Sequence, residues 1–351
     1  MGKRHVGGLL TALVAAVALT GTAITGQTAP QSQGWTNVTG TLAYKLSECG
    51  NLTLVTPVPD SNAVIAGVAG RGLWVNTSGT TWTRLSDVSS DRIANRPTWI
   101  VFDPTNPAIF WESGIYGAGI YKSTDGGKTV QRLGEIQHND HMAVDFTDPD
   151  RKILLASGHE QSQTVNASFD GGKTWKNIGQ SLPPGSGLAS HPYAIDSMTY
   201  MVNIGTPDGA PLNGIYRTVD GGGTWQRVSN VGPNGAVLKT AKGVFYWAAS
   251  HRMLRSTNGG VSWTAAVAEG LRAIHPVEME DGKLVAVGDS KLLISADGGT
   301  TWSPMGPTLP HFPQPPDGLA YSPQRRAFFV YRGDCREHVP GNAIFMLQLS
   351  Q

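Results

Sequence analysis

His138-Asn139-Asp140-His141 puts two imidazoles and a carboxylate within one short stretch, and His159-Glu160 adds a second imidazole–carboxylate pair one hairpin later. Histidine titrates near neutrality, which equips these side chains for general acid or base work. The candidate catalytic set is therefore His138, Asp140, His141, His159 and Glu160. An arginine can neutralise a substrate carboxylate while a base removes the neighbouring C–H proton, a combination suited to β-elimination on a uronic-acid polymer. Candidates for substrate binding are Arg71, Arg96, Arg272 and Arg332, with Tyr116, Tyr193, His191 and His251. A metal reading also exists: His138 and His141 with His159 or His191 would ligate a divalent ion if their rings converged. His-x-x-His on a strand or loop need not put both rings on one side, and His141 turned into a sheet core is an equal alternative. No resident cofactor is predicted.

These residues must be positioned by a repeat. Ser168-Phe169-Asp170-Gly171-Gly172-Lys173-Thr174-Trp175 recurs as Thr218 to Trp225, Ser256 to Trp263 and Ser295 to Trp302. Ser123 to Val130 lacks the final Trp, and Val75 to Trp82 keeps only Gly79, Thr81 and Trp82. The six starts lie about 38 to 50 residues apart, the spacing of propeller blades. Within each box the Asp accepts hydrogen bonds from its own turn, the glycines supply positive φ, and the Thr adds a hydroxyl, so the box is a hairpin lock. Its Trp opens the next strand and fills the wedge between neighbouring sheets.

Three short strands precede each box, as in Thr98 to Phe102, Ala108 to Trp111 and Gly117 to Lys122, and a fourth follows, as in Trp175 to Ile178 or Trp225 to Val228. Gly34-Trp35-Thr36-Asn37-Val38 reads as a fourth strand with no box before it. Gly318 to Tyr321, Ala327 to Tyr331 and Asn342 to Leu349 read as three strands with no fourth behind them. Each end completes the other and leaves no sheet edge bare. The predicted fold is all-β: one seven-bladed propeller of four-stranded antiparallel blades over 34–351, closed by an N-terminal strand in the last blade. In such blades the loops leading into strand one and those joining strands two and three share one face, and the boxes occupy the other. All eight histidines after the leader, including His275, His311 and His338, fall on the face opposite the boxes, where loops on a rigid scaffold carry binding.

The leader is residues 1–33: Lys3, Arg4 and His5, an apolar run from Leu9 to Leu19, then small residues, the layout of a secretory signal peptide and a short N-terminal segment. The run is too short to span a membrane, so secretion, extracellular or periplasmic, is expected. Cys49 and Cys335 are the two cysteines; ring closure brings their blades together, and an oxidising compartment then favours a disulfide. With 44 Gly, 22 Pro and only 15% charged residues, the chain suits short strands and tight turns. A formal net charge of +1 with scattered Lys and Arg excludes the basic footprint of a nucleic-acid binder. No polybasic membrane patch is present, and a single closed ring is expected to be a monomer.

The boxes resemble the Asp-box (BNR) repeats of the sialidase-like propeller superfamily, over essentially the whole chain after the leader. That resemblance implies the fold, whereas the superfamily's activities range over sialidases, xyloglucanases, polysaccharide lyases, photosystem assembly factors and sorting receptors. Sialidases carry an Arg-Ile-Pro type motif ahead of the first box; here Arg71 stands alone between Trp35 and that box, so no sialidase residues carry over. The expected function is glycan binding, with cleavage by hydrolysis or elimination, at the His- and Arg-rich face. The rival reading is a non-enzymatic propeller that docks a protein partner there, as an assembly factor or receptor does.

Overall fold

The computed structural model describes residues 1–2, 34–45, 52–85, 93–205, 211–312, 314–333 and 342–350. Cys49, Cys335, His338 and nearly all of the leader lie outside the described residues, as do the disulfide and signal-peptide expectations that rest on them. The described chain forms seven four-stranded antiparallel sheets, and its only helical segments are two short 3-10 turns. Among the described residues no helix is long and apolar enough to cross a membrane.

Blade one comprises Leu52–Pro57, Val64–Val68, Gly72–Asn76 and Thr83–Arg84; blade two, Arg96–Phe102, Phe110–Ile115, Ile120–Ser123 and Gln131–Arg132. Blade three comprises Asn139–Val144, Leu154–Gly158, Val165–Ser168 and Lys176–Asn177; blade four, Leu188–Ala194, Tyr200–Gly205, Gly214–Thr218 and Gln226–Ser229. Blades five and six begin with the two-residue strands Leu238–Lys239 and Val277–Glu278. In blade seven, Gly318–Ser322, Ala327–Arg332 and Ala343–Gln348 receive Thr36–Asn37 as the fourth strand. Thr36 faces Met346, Asn37 faces Phe345, and the Val38 amide donates to the Ile344 carbonyl at 2.9 Å. The predicted closure is therefore present. Val38, Leu52, Trp82, Phe329 and Ile344 share one buried cluster across the seam, and the Arg325 guanidinium of blade seven donates to the Asn62 and Asn76 carbonyls of blade one.

The boxes are locked as their residue types require. Asp170 accepts from the Thr174 amide at 2.9 Å and its hydroxyl at 2.7 Å, while the buried Ser168 hydroxyl accepts from the Gly172 amide at 2.8 Å. Asp125, Asp220 and Asp297 repeat the pattern, and Asn258 substitutes for the carboxylate in blade five. The first repeat starts one residue later than its predicted Val75. Asn76 occupies the Ser position and donates to the Ser78, Gly79 and Thr81 carbonyls, its longer side chain spanning a turn that is one residue short. Indole N–H groups of Trp82, Trp175 and Trp225 donate to the Val38, Leu133 and Ile178 carbonyls, each on the preceding blade.

Four innermost strands carry a β-bulge at one level: between Leu52 and Leu54, Pro97 and Trp99, Asn139 and Met142, and Ser190 and Tyr193. An extra residue on one strand kinks it and re-aims side chains. Here the bulges turn Thr53, Thr98, His141 and His191 towards the axis, where all four line a central cavity of about 650 Å³.

Candidate functional site

On the face opposite the boxes, three loops of blades two and three are joined by backbone hydrogen bonds. The His138 amide donates to the Gly117 carbonyl at 3.2 Å, and the His159 amide to the His138 carbonyl at 2.6 Å. This ladder gathers Tyr116, His138, Asp140, His159 and Glu160. Asp140 Oδ1 lies 2.8 Å from His159 Nδ1, and Tyr116 Oη lies 3.3 Å from His159 Nε2. A carboxylate only accepts, so Asp140 fixes the Nδ1–H tautomer and leaves the Nε2 lone pair for the Tyr116 hydroxyl. Glu160 Oε1 stands 3.7 Å from the same Nε2, and the His138 ring packs edge-on to Tyr116 at 6.2 Å. Burial raises the Asp140 carboxyl above its ordinary value, and its contact with His159 opposes that rise.

Backbone strain falls on many of the candidate residues, at the rim and away from it. Nine described non-glycine residues have positive φ, and five of them, Tyr116, His138, Glu160, His191 and His251, are candidates named from the sequence. Each such residue costs roughly 1 kcal/mol or more, so each is held against its backbone preference.

A buried polar post supports the Tyr116 turn. Asn95 Nδ2 donates to the Ala118 carbonyl at 2.9 Å and to Glu112 Oε2 at 3.4 Å. Glu112 is wholly buried, and desolvation pushes its carboxyl well above the usual range, with the Asn95 hydrogen bond opposing that rise. Gly114 and Gly117 admit this packing: a Cβ on Gly114 would meet the Asn95 side chain at 2.4 Å. Below the neighbouring strand, the Thr98 and Ser113 hydroxyls both donate to the Asp140 carbonyl.

His141 departs from the cluster. Its ring stacks on His191 at 3.7 Å between centroids, and Trp99 lies 5.7 Å from both His141 and His275. His275 Nδ1 pairs with the Ala236 carbonyl at 2.8 Å. Burial holds the His141 imidazole down to about 3 and lowers His191 and His275 as well. The candidates thus divide into a rim group around Tyr116 and an axial group around His141.

The remaining candidates are dispersed. Arg71 is exposed beside Gly70, whose amide donates to the Asn95 carbonyl, and Arg96 faces Ile115 across the sheet, next to the Tyr116 turn. Arg272 pairs with Asp289 at 3.0 Å in blade six, Arg332 pairs with Asp317 at 2.7 Å in blade seven, and His251 sits on blade five. Tyr193 packs edge-on against Phe245 at 5.3 Å, and burial pushes its hydroxyl up to about 12, so its place is in the wedge between blades four and five. Among the described residues no group of three or more His, Cys, Asp or Glu is arranged to hold a metal ion.

Sequence reasoning missed Trp99, Asn95 and Glu112. A carboxylate within Phe110-Trp111-Glu112-Ser113 was the available signal for the last, since charge rarely enters a fully buried strand unpaired. Trp99 looks like any sheet tryptophan until the bulge beside it is known.

No family model matches the chain, and no curated protein matches it. Solved structures do. An extracellular domain of a one component system from B. thetaiotaomicron is 12% identical with a TM-score of 0.61, covering 91% of this chain and 40% of that one. A GH74 xyloglucanase from Xanthomonas campestris is 18% identical with a TM-score of 0.59, covering 91% and 54%. An ancestral GH74 enzyme is 15% identical with a TM-score of 0.53, covering 92% and 48%. The chain spans about half or less of each of those proteins, and the likeness is one of fold.

Proposed function

We propose that the chain is an exported propeller of the Asp-box type that binds an acidic extracellular polysaccharide at the rim of blades two and three and cleaves it by β-elimination. The Asp140–His159–Tyr116 relay carries this reading. With the His159 tautomer fixed by Asp140, Nε2 draws the proton from the Tyr116 hydroxyl, and the tyrosine oxygen becomes the base at the surface. Tyr116 is 58% exposed on a strained turn, the position a group needs to reach a polymer. In the proposed step that oxygen takes the proton next to the uronate carboxylate, the glycosidic C–O bond breaks as a C=C bond forms, and His138 protonates the departing oxygen. Arg71 and Arg96, on the adjoining loop and strand, are the cations assigned to neutralise the carboxylate. The same scaffold elsewhere carries a xyloglucanase, which makes polysaccharide chemistry a fitting use of it.

The test is an assay of the wild type and Tyr116→Phe on pectate, alginate, hyaluronan and heparin, reading absorbance of the unsaturated uronate and new reducing ends. Wild-type turnover that falls at least 100-fold in Tyr116→Phe, with KM nearly unchanged, is expected for loss of a proton-transfer group. Turnover unaffected by the substitution sinks the relay. Reducing ends without unsaturated product would replace elimination by hydrolysis, and binding without turnover on every polymer would replace the enzyme by the docking protein.

A further inference from the structure

The axial group occupies a different place from the rim relay and has its own chemistry. Its cavity, about 650 Å³, lies within the range of small-molecule sites and is lined by Trp99, His141, His191, His275, Asn234 and Asp317, among others. The Nδ1 atoms of His141 and His191 are buried and have no hydrogen-bond partner among the described residues. Those nitrogens are closed off even to water, so a guest in the cavity would meet the two rings through their other edges, which line it. His191 reaches this position through a positive φ, and both histidines stand on bulged strands, so the backbone is bent to present them.

Charge and shape narrow what would fit. Burial disfavours charge on the wall histidines, and Asp317, the one carboxylate among the described lining residues, already accepts from Arg332 and from the Gly333 amide. Among the described residues of this wall an anion would find no Lys or Arg. A neutral imidazole has one donor and one acceptor nitrogen, which a hydroxyl can satisfy in either direction. Asn234 adds an amide, and Trp99 adds a half-buried aromatic surface able to lie against the C–H face of a ring. We infer that the central channel is a binding site for an uncharged, hydroxyl-rich sugar ring, seated against Trp99 and hydrogen-bonded by His141 and His191. The site stands whether or not the rim relay is catalytic.

Full-length protein carrying ¹⁵N-labelled histidine is titrated with D-glucose, D-galactose, cellobiose and D-glucuronate, following imidazole ring nitrogens and tryptophan fluorescence. At least one neutral sugar should shift two or three histidine ring signals saturably, with D-glucuronate binding at least tenfold more weakly. Trp99→Leu and His141→Gln should each weaken that binding at least tenfold while circular dichroism and the unfolding midpoint report a folded ring. Tyr116→Phe should leave it unchanged, which separates this site from the rim. Ring nitrogens that respond to no neutral sugar would show a channel holding water alone and overturn the inference. So would equal binding of the uronate, or undiminished binding by both folded channel variants.

Discussion

Desolvation disfavours the charged forms of His141 and Glu112, and the two pull stability in opposite directions with pH. Unfolded, the His141 imidazole titrates near 6.5; folded, burial holds it to about 3. Between those values the unfolded chain binds the proton and the folded chain does not. Stability is complete above the unfolded value and falls as pH drops through the window, by up to about 1.4 kcal/mol per pH unit. Urea unfolding of wild type and His141→Phe from pH 7 to 4 should show the wild type losing the steeper share, and parallel curves would contradict the burial. Glu112 has the reverse sign: its folded value is raised above 4.5, so its contribution is full below that pH and is lost as pH rises towards the folded value. Glu112→Gln, which keeps the shape of the neutral acid, should therefore unfold at a higher temperature than wild type at pH 7 and at nearly the same temperature at pH 4. The meeting of imidazoles and carboxylates at the rim was legible because His138-Asn139-Asp140-His141 and His159-Glu160 announce themselves by type. That His141 would turn to the axis while Asp140 meets His159 was not, because a bulge breaks strand alternation and leaves no mark in composition.

Among the elements, the boxes show how far local chemistry reaches. The Ser168 hydroxyl holds the Gly172 amide inside the turn, so Ser168→Ala should leave a buried donor bare and cost about 1–3 kcal/mol in chemical denaturation. A cost near zero would mean that the turn finds another acceptor. The repeat was readable because each hydrogen bond needs one residue type at one offset. Strand limits were less so: the second strand of blade two, predicted from Ala108 to Trp111, runs Phe110–Ile115, since Asp103, Thr105 and Asn106 spend their side chains closing the preceding turn. Asn76 shows the same limit, because a side chain that bridges a shortened box looks unrelated to serine in the sequence.

At the scale of the ring, closure was legible from two incomplete ends that fit each other. Deleting 34–39 removes the outer strand of blade seven and bares the Ala343–Gln348 edge. Such an edge is a template for other strands, so the deletion should elute as dimers or larger species in size-exclusion chromatography while the intact chain elutes at a single smaller size. Coincident elution would show that the seam cluster and Arg325 hold the ring without the strand. What composition could not reveal is that the ring is uneven. Inward kinks occur in blades one to four, while the described innermost pairings of blades five, six and seven keep an unbroken register. A perfectly repeated wheel would offer any guest on its hub seven interchangeable orientations. This one sets four kinked blades against three whose described pairings are unkinked, so the orientations open to a molecule lodged there are no longer equivalent.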